Sequence, residues 1–347
     1  MKMLIPTRIA GLLILVLCLT PAHAEEINQV HGESLVLVGT EPARLWFPKI
    51  RPKSVSVRST YEPDEDTTIQ YELGKDYTLD ATAGTLTRTP DSRIPDFSTN
   101  VLYGQQDFDH SKFPGFGNTA FFVFVDYKTK AGTALCAPSD QAAFLPKTRA
   151  KLTKGGPFKL LVFGDSISAG GDATKVSHRF QQRYAKHLAE QFPKAEITVE
   201  NGATGGDSTH TGLQRIEDKV LTRSPDLVLV GFGMNDHNIN GVAPDKFTEL
   251  LTTIINQIRE RTDAEIILLS TFPPNPDWKH SSHRMDVYAA ATQQVADEQS
   301  TAYADVYTAW MSVLERKDRH SMLGNNINHP NDFGHWIYAE VLKSIRF

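Results

Sequence analysis

From Phe158 onward the chain alternates short apolar runs with segments of helical spacing, and that alternation leaves few folds open. Leu160-Leu-Val-Phe163 is continuously apolar, as suits a strand buried on both faces of a parallel sheet. Ile197–Val199, Leu227–Val230, Ile266–Leu269 and Ala302–Val306 are further strand-like runs. Between them Phe180, Tyr184, Leu188 and Phe192 recur at steps of four, which predicts a helix over 180–192. Helices are also expected over 211–221, 244–262, 285–299 and 329–345, the second with Pro244 near its start. This pattern predicts an α/β domain over 158–347, a parallel sheet covered by helices on both faces. Ligands of such sheets bind at the carboxyl ends of the strands.

The preceding part has a different texture. Runs rich in β-branched and aromatic residues occur at 34–38, 43–47, 54–58, 68–71, 77–79, 84–87 and 121–127, separated by turn residues. Seven short strands at this spacing predict a small all-β, sandwich-like domain over 25–130. Residues 94–118 lack periodicity and read as a long ordered loop. Residues 131–157, with Pro138, Pro146 and the run Lys154-Gly-Gly-Pro157, read as a linker.

The first 24 residues read as a signal peptide. Lys2 and Arg8 precede an apolar run from Ile9 to Leu19, too short to span a bilayer, and Ala22-His23-Ala24 fits a cleavage site. The expected location is therefore periplasmic or extracellular, after cleavage near Ala24, without stable membrane insertion. Cleavage removes two positive charges from a chain whose formal net charge is -5. An acidic exported protein has little attraction for nucleic acid. Cleavage also removes Cys18, so Cys136 has no partner for an internal disulfide, and nothing near it in sequence suggests an activating base.

Four short motifs fall in order at the expected strand ends: Gly164-Asp-Ser166, Asn201-Gly-Ala-Thr-Gly-Gly206, Gly233-Met-Asn-Asp236 and His329-Pro-Asn-Asp332. Singly, each has a bland reading: a turn serine, a loop glycine, a turn asparagine and a helix-capping histidine. Together they hold the parts of an acyl-transfer site. A serine hydroxyl is a poor nucleophile until a base takes its proton, and His329 is the base for Ser166. A tetrahedral intermediate places charge on oxygen, which the Gly206 N–H, the Asn235 side-chain amide and the Ser166 N–H can bind.

On these four blocks, residues 159–345 resemble the GDSL-type SGNH hydrolases, whose Ser, Gly, Asn and His blocks match Ser166, Gly206, Asn235 and His329. The resemblance implies a flavodoxin-like three-layer α/β/α fold, no metal or cofactor, and hydrolysis of esters or thioesters. One position departs from it. The family carries Asp three residues before the histidine, and Asn326 stands there. Three readings follow. A Ser166–His329 pair works with Asn326 or a backbone carbonyl as orienter, which is favoured because the other parts are intact. Another acid, such as Asp332 or a loop carboxylate, fills the role. Or the domain is inert.

His280 and His283 form no zinc set, since no Cys, Asp or Glu cluster completes one. Trp278 lies in a loop expected to rim the site and reads equally as a substrate-stacking residue or as packing against the neighbouring domain. Export, the β-rich domain and the lack of a broad apolar stretch favour an acylated carbohydrate as substrate, with an O-acetyl group removed. The alternatives are a lipid esterase or thioesterase, and a catalytically inert carbohydrate-binding protein. The sequence sets no oligomeric state.

Overall fold

A computed structural model describes residues 27–347; the leader expected over 1–24 lies outside the described residues. Among these residues, no helix is long and apolar enough to cross a membrane.

The seven short β runs form two antiparallel sheets. β1 (Gln29–Leu35), β2 (Ala43–Arg44), β3 (Ser56–Arg58), β4 (Gln70–Tyr71), β5 (Tyr77–Asp80), β6 (Thr85–Arg88) and β7 (Val123–Lys128) divide into a four-stranded sheet, order β1-β7-β3-β4, and a three-stranded sheet, order β2-β6-β5. Residues such as Val57, Tyr71, Leu86, Val123, Val125 and Tyr127 are buried in the main hydrophobic core. Residues 94–118 form no strand.

The segment read as a linker has structure of its own. β8 (Ser139–Asp140) is followed by α1 (Pro146–Lys154), which buries Thr148 and Leu152. Glu265 accepts the first N–H groups of this helix, from Lys147 and Thr148. That contact meets the orphan donors of the helix N-terminus with a negative charge.

The α/β part follows in chain order: β9 (Gly156–Gly164), α2 (Ser166–Ala169), α3 (Phe180–Gln191), β10 (Ala195–Asn201), α4 (Thr209–Lys219), β11 (Leu227–Gly231), α5 (Pro244–Arg261), β12 (Glu265–Leu269), α6 (Met285–Gln299), β13 (Ala302–Ala304), α7 (Val306–Leu314), α8 (Asp332–Ser344) and β14 (Ile345–Arg346). β14 pairs with β8. The five central strands are parallel in the order β10-β9-β11-β12-β13. This is flavodoxin-like. α8 packs between α3 and α7, and α5 between α4 and α6, so two helical layers cover the sheet. The strand order reverses about β9, and the crevice at its carboxyl end is the position where such sheets bind ligands.

The β region is welded to this frame: side chains such as Val57, Leu86 and Val125 share one hydrophobic cluster with the α/β core. Trp46 meets Phe333 and Trp336 of α8 edge-on, at centroid distances of 6.4 and 6.0 Å. Asn118, fully buried, donates its amide to His320 O and Leu323 O, and its main-chain N–H to Gly324 O. The long loop 94–118 thus braces the stretch that presents His329.

Candidate active site

Ser166 stands at the sharp turn from β9 into α2. Asp165 caps that short helix, accepting the Ile167 N–H through Oδ1 at 2.9 Å. The turn needs glycine at 164: a Cβ there would lie 2.0 Å from Gly231 O at the neighbouring strand end. Burial pushes the Asp165 carboxyl up to about 7. It is a capping group, and the reacting atoms lie elsewhere.

His329 comes from the loop before α8. The side chain of Asn325 accepts the N–H groups of Ile327, Asn328 and His329, and Gly324 N–H donates to His329 O. Asn331 then caps α8 by accepting Gly334 N–H. Held this way, His329 Nε2 lies 2.8 Å from Ser166 Oγ, across 163 residues of sequence. A serine hydroxyl and an imidazole in hydrogen-bond reach form an arrangement that can activate the hydroxyl.

Gly206 and Asn235, the residues expected to bind an oxyanion, follow the next two strands of the chain. Thr204 N–H donates to Gly164 O, drawing the 202–206 loop against Ser166; a Cβ on Gly205 would lie 3.9 Å from that of Ser166. Gly206 has φ +82°, the left-handed region that favours glycine. Among the described residues, no protein acceptor engages the N–H of Gly206 or of Ser166. Asn235 donates one amide hydrogen to Asp207 O at 2.9 Å, which leaves its second to point elsewhere. Behind it, buried Asp236 accepts from Thr209 N–H, Thr209 Oγ1 and Gly233 N–H, locking α4 to the loop that carries Asn235. Burial pushes the Asp236 carboxyl up to about 6.

Asn326 stands differently from expectation, and the position of Trp278 favours one of its two readings. Asn326 does not face His329. Its Oδ1 accepts from His320 Nδ1, its main-chain oxygen accepts the Asn275 amide, and its φ of +61° turns the chain so that its side chain is buried away from the imidazole. Trp278 is only 6% exposed and packs with Leu102, Phe108 and Ile327, its Nε1 donating to His110 Nδ1 at 3.0 Å. Of its two readings, packing against the β region is the one its position fits.

The acids near His329 divide cleanly. Asp332 is taken: it accepts Thr174 N–H and Oγ1 and faces His178 Nδ1, and these partners hold its carboxyl below the usual range against the opposing effect of burial. Asp172 sits instead with Oδ2 3.4 Å from His329 Nδ1. No sequence pattern marked it, because its only link to His329 is through space. The one hint was the Gly170-Gly171 pair just before it, which allows a sharp return of the chain.

Cys136 is half-buried, and burial pushes its thiol up, which disfavours the thiolate. No group of three or more His, Cys, Asp or Glu side chains is placed to hold a metal ion among the described residues.

The family described as GDSL-like Lipase/Acylhydrolase matches residues 162–337. The chain is 33% identical over 145 residues to an arylesterase of Vibrio mimicus, covering 40% of this chain and 68% of that protein. It is 23% identical over 211 residues to an acetylxylan esterase of Geobacillus stearothermophilus, covering 56% of this chain and 96% of that protein. A crystal structure of that acetylxylan esterase superposes with a TM-score of 0.48 at 23% identity, over 55% of this chain and 95% of the other.

Proposed function

The chain belongs to the GDSL-like lipase/acylhydrolase family and is a carboxylic ester hydrolase; from that premise we propose that it is an exported enzyme that removes small acyl groups, O-acetyl foremost, from carbohydrate. The observation that carries the mechanism is the 2.8 Å approach of Ser166 Oγ to His329 Nε2 at the carboxyl end of β9. Ser166 Oγ attacks the ester carbonyl carbon while His329 Nε2 takes its proton. The negative oxygen of the tetrahedral intermediate rests among Gly206 N–H, Ser166 N–H and the Asn235 amide. His329 returns the proton to the departing sugar hydroxyl. Water, deprotonated by His329, then releases the acid and restores Ser166.

Two observations favour a carbohydrate ester over a long-chain lipid. The chain passing beside Ser166 is solvent-facing at Gly205 and Gly206, which carry no side chain. The acetylxylan esterase resembles this chain over nearly its whole length. The β region supports the site by bracing the His329 loop through Asn118. Acetate release from an acetylated xylo-oligosaccharide, compared with acid release from a long-chain ester, tests the reading. Efficient turnover of the first and not the second is expected; the reverse preference overturns the carbohydrate assignment. Glycan binding without turnover of any ester favours the inert binding protein. Export predicts a mature chain that begins at Glu25, read by mass spectrometry of the processed protein.

A further inference from the structure

We infer that Asp172 is the positioning carboxylate of His329, so that nucleophile and acid share one loop and the acid of the histidine loop has been given up. The inference rests on the Ser166–His329 esterase reading above. For His329 Nε2 to accept the Ser166 proton, the ring must carry its own proton on Nδ1, and that N–H needs an acceptor facing it. Asp172 Oδ2 lies 3.4 Å away. That oxygen is buried and has no other hydrogen-bond partner in the protein. The separation is long for a resting hydrogen bond, and catalytic contacts of this kind tighten when substrate binds. The competing groups are committed elsewhere, Asn326 to His320 and Asp332 to Thr174 and His178.

The surroundings are shaped to hold Asp172 in this place. Gly170 and Gly171, with φ of +125° and +45°, fold the chain after Ser166 back toward the histidine. A Cβ on Gly171 would lie 3.6 Å from His329 Cβ, so the returning loop lies directly against that residue. Two residues past Asp172, Thr174 is clamped to the first turn of α8, its N–H at 2.9 Å and its Oγ1 at 2.6 Å from the Asp332 carboxylate. On the other side Gly324 leaves the space that Asp172 occupies: a Cβ there would sit 2.3 Å from Asp172 Cβ. Loop, clamp and gap together place a carboxylate at Nδ1 without help from position 326.

Asp172 is one-third exposed, so its attraction for the imidazolium is screened, and its larger effect is on tautomer and ring orientation. The test compares S166A, D172N and D172A with wild type on a small acetyl ester, with thermal melts of each. S166A should abolish turnover. D172N should lower kcat at least about 100-fold with KM within about threefold, because the lost interaction matters in the transition state. A loop-packing role alone would leave D172N, which keeps the shape of the side chain, at wild-type kcat. Inactive S166A together with D172N at wild-type kcat, whatever D172A does, overturns the assignment of Asp172 alone. S166A with wild-type turnover overturns the esterase reading beneath it.

Discussion

Glu33 and Lys317, nearly 300 residues apart in sequence, form an ion pair of 2.8 Å with both side chains wholly buried. Every polar group in it is answered. Glu33 also accepts Trp46 N–H and Tyr127 O–H, and Lys317 also donates to Ser34 O. Such a pair stabilises less than its Coulomb energy suggests, yet breaking it strands a charge in the core. Lys317→Met is therefore expected to cost about 3–5 kcal/mol in urea unfolding, and adding Glu33→Gln should recover most of it. Equal destabilisation by the single and double changes would show that the cost is packing and not charge.

Gly324 and Asp172 are expected to couple. Gly324→Ala places a carbon where the Asp172 side chain now lies, and should lower kcat by displacing the carboxylate. In a D172N background the same change has less to displace. The double variant should fall well short of the summed losses, with a coupling of about 0.5–3 kcal/mol from rates. Additive losses would mean that Gly324 acts through His329 or through folding.

Asn326→Asp restores the acid where relatives of the resembled family carry it, and here it should bring nothing. The side chain points to His320, so a carboxylate at 326 gains no access to His329. The expected kcat/KM lies within about threefold of wild type. A gain of about tenfold or more would mean that the histidine lacks an acid in the native enzyme.

Asp165 ties stability to pH. Its carboxyl, ordinarily titrating at 3.8, holds its proton to about 7 when folded, chiefly because burial disfavours the charge. The folded state therefore binds more protons than the unfolded chain between those values. The stability this contributes is full below pH 4 and is lost as pH rises through about 7. Asn at 165 can still accept the Ile167 N–H but has no charge to bury. The melting-temperature advantage of Asp165→Asn over wild type should grow from pH 5 to pH 8. A constant difference across that range would show that Asp165 does not titrate in this window.

The α/β frame was legible because burial on two faces demands runs such as Leu160–Phe163, and one-sided helices such as α3 space their buried residues evenly. Seven β runs in the first part were equally plain, although their edges moved. Val36 leaves β1 because its N–H turns to Ser321 Oγ, and Trp46 leaves β2 because its N–H turns to Glu33. Helix α1 went unread: it is rich in lysine, buries only two side chains, and starts at a proline that looked like a break. α7 hid in an apolar stretch partly read as strand, and begins where Asp305 caps Thr308 N–H. In the candidate site, Ser166, Gly206, Asn235 and His329 follow strand ends or precede a helix, where short motifs point. Trp278 stayed ambiguous because stacking and packing ask for the same residue type. Asp172 was invisible because its meaning arises only when two loops meet.

The account rests most heavily on Ser166 becoming acylated. The direct measurement is to mix enzyme with an activated acetyl ester, quench early in the reaction, and map the acetyl group by peptide mass spectrometry. The acetyl adduct is expected on the peptide carrying Ser166, forming and decaying at rates consistent with turnover, and absent from S166A. Undiminished ester hydrolysis by S166A, or an adduct of matching kinetics on another residue, would contradict the mechanism.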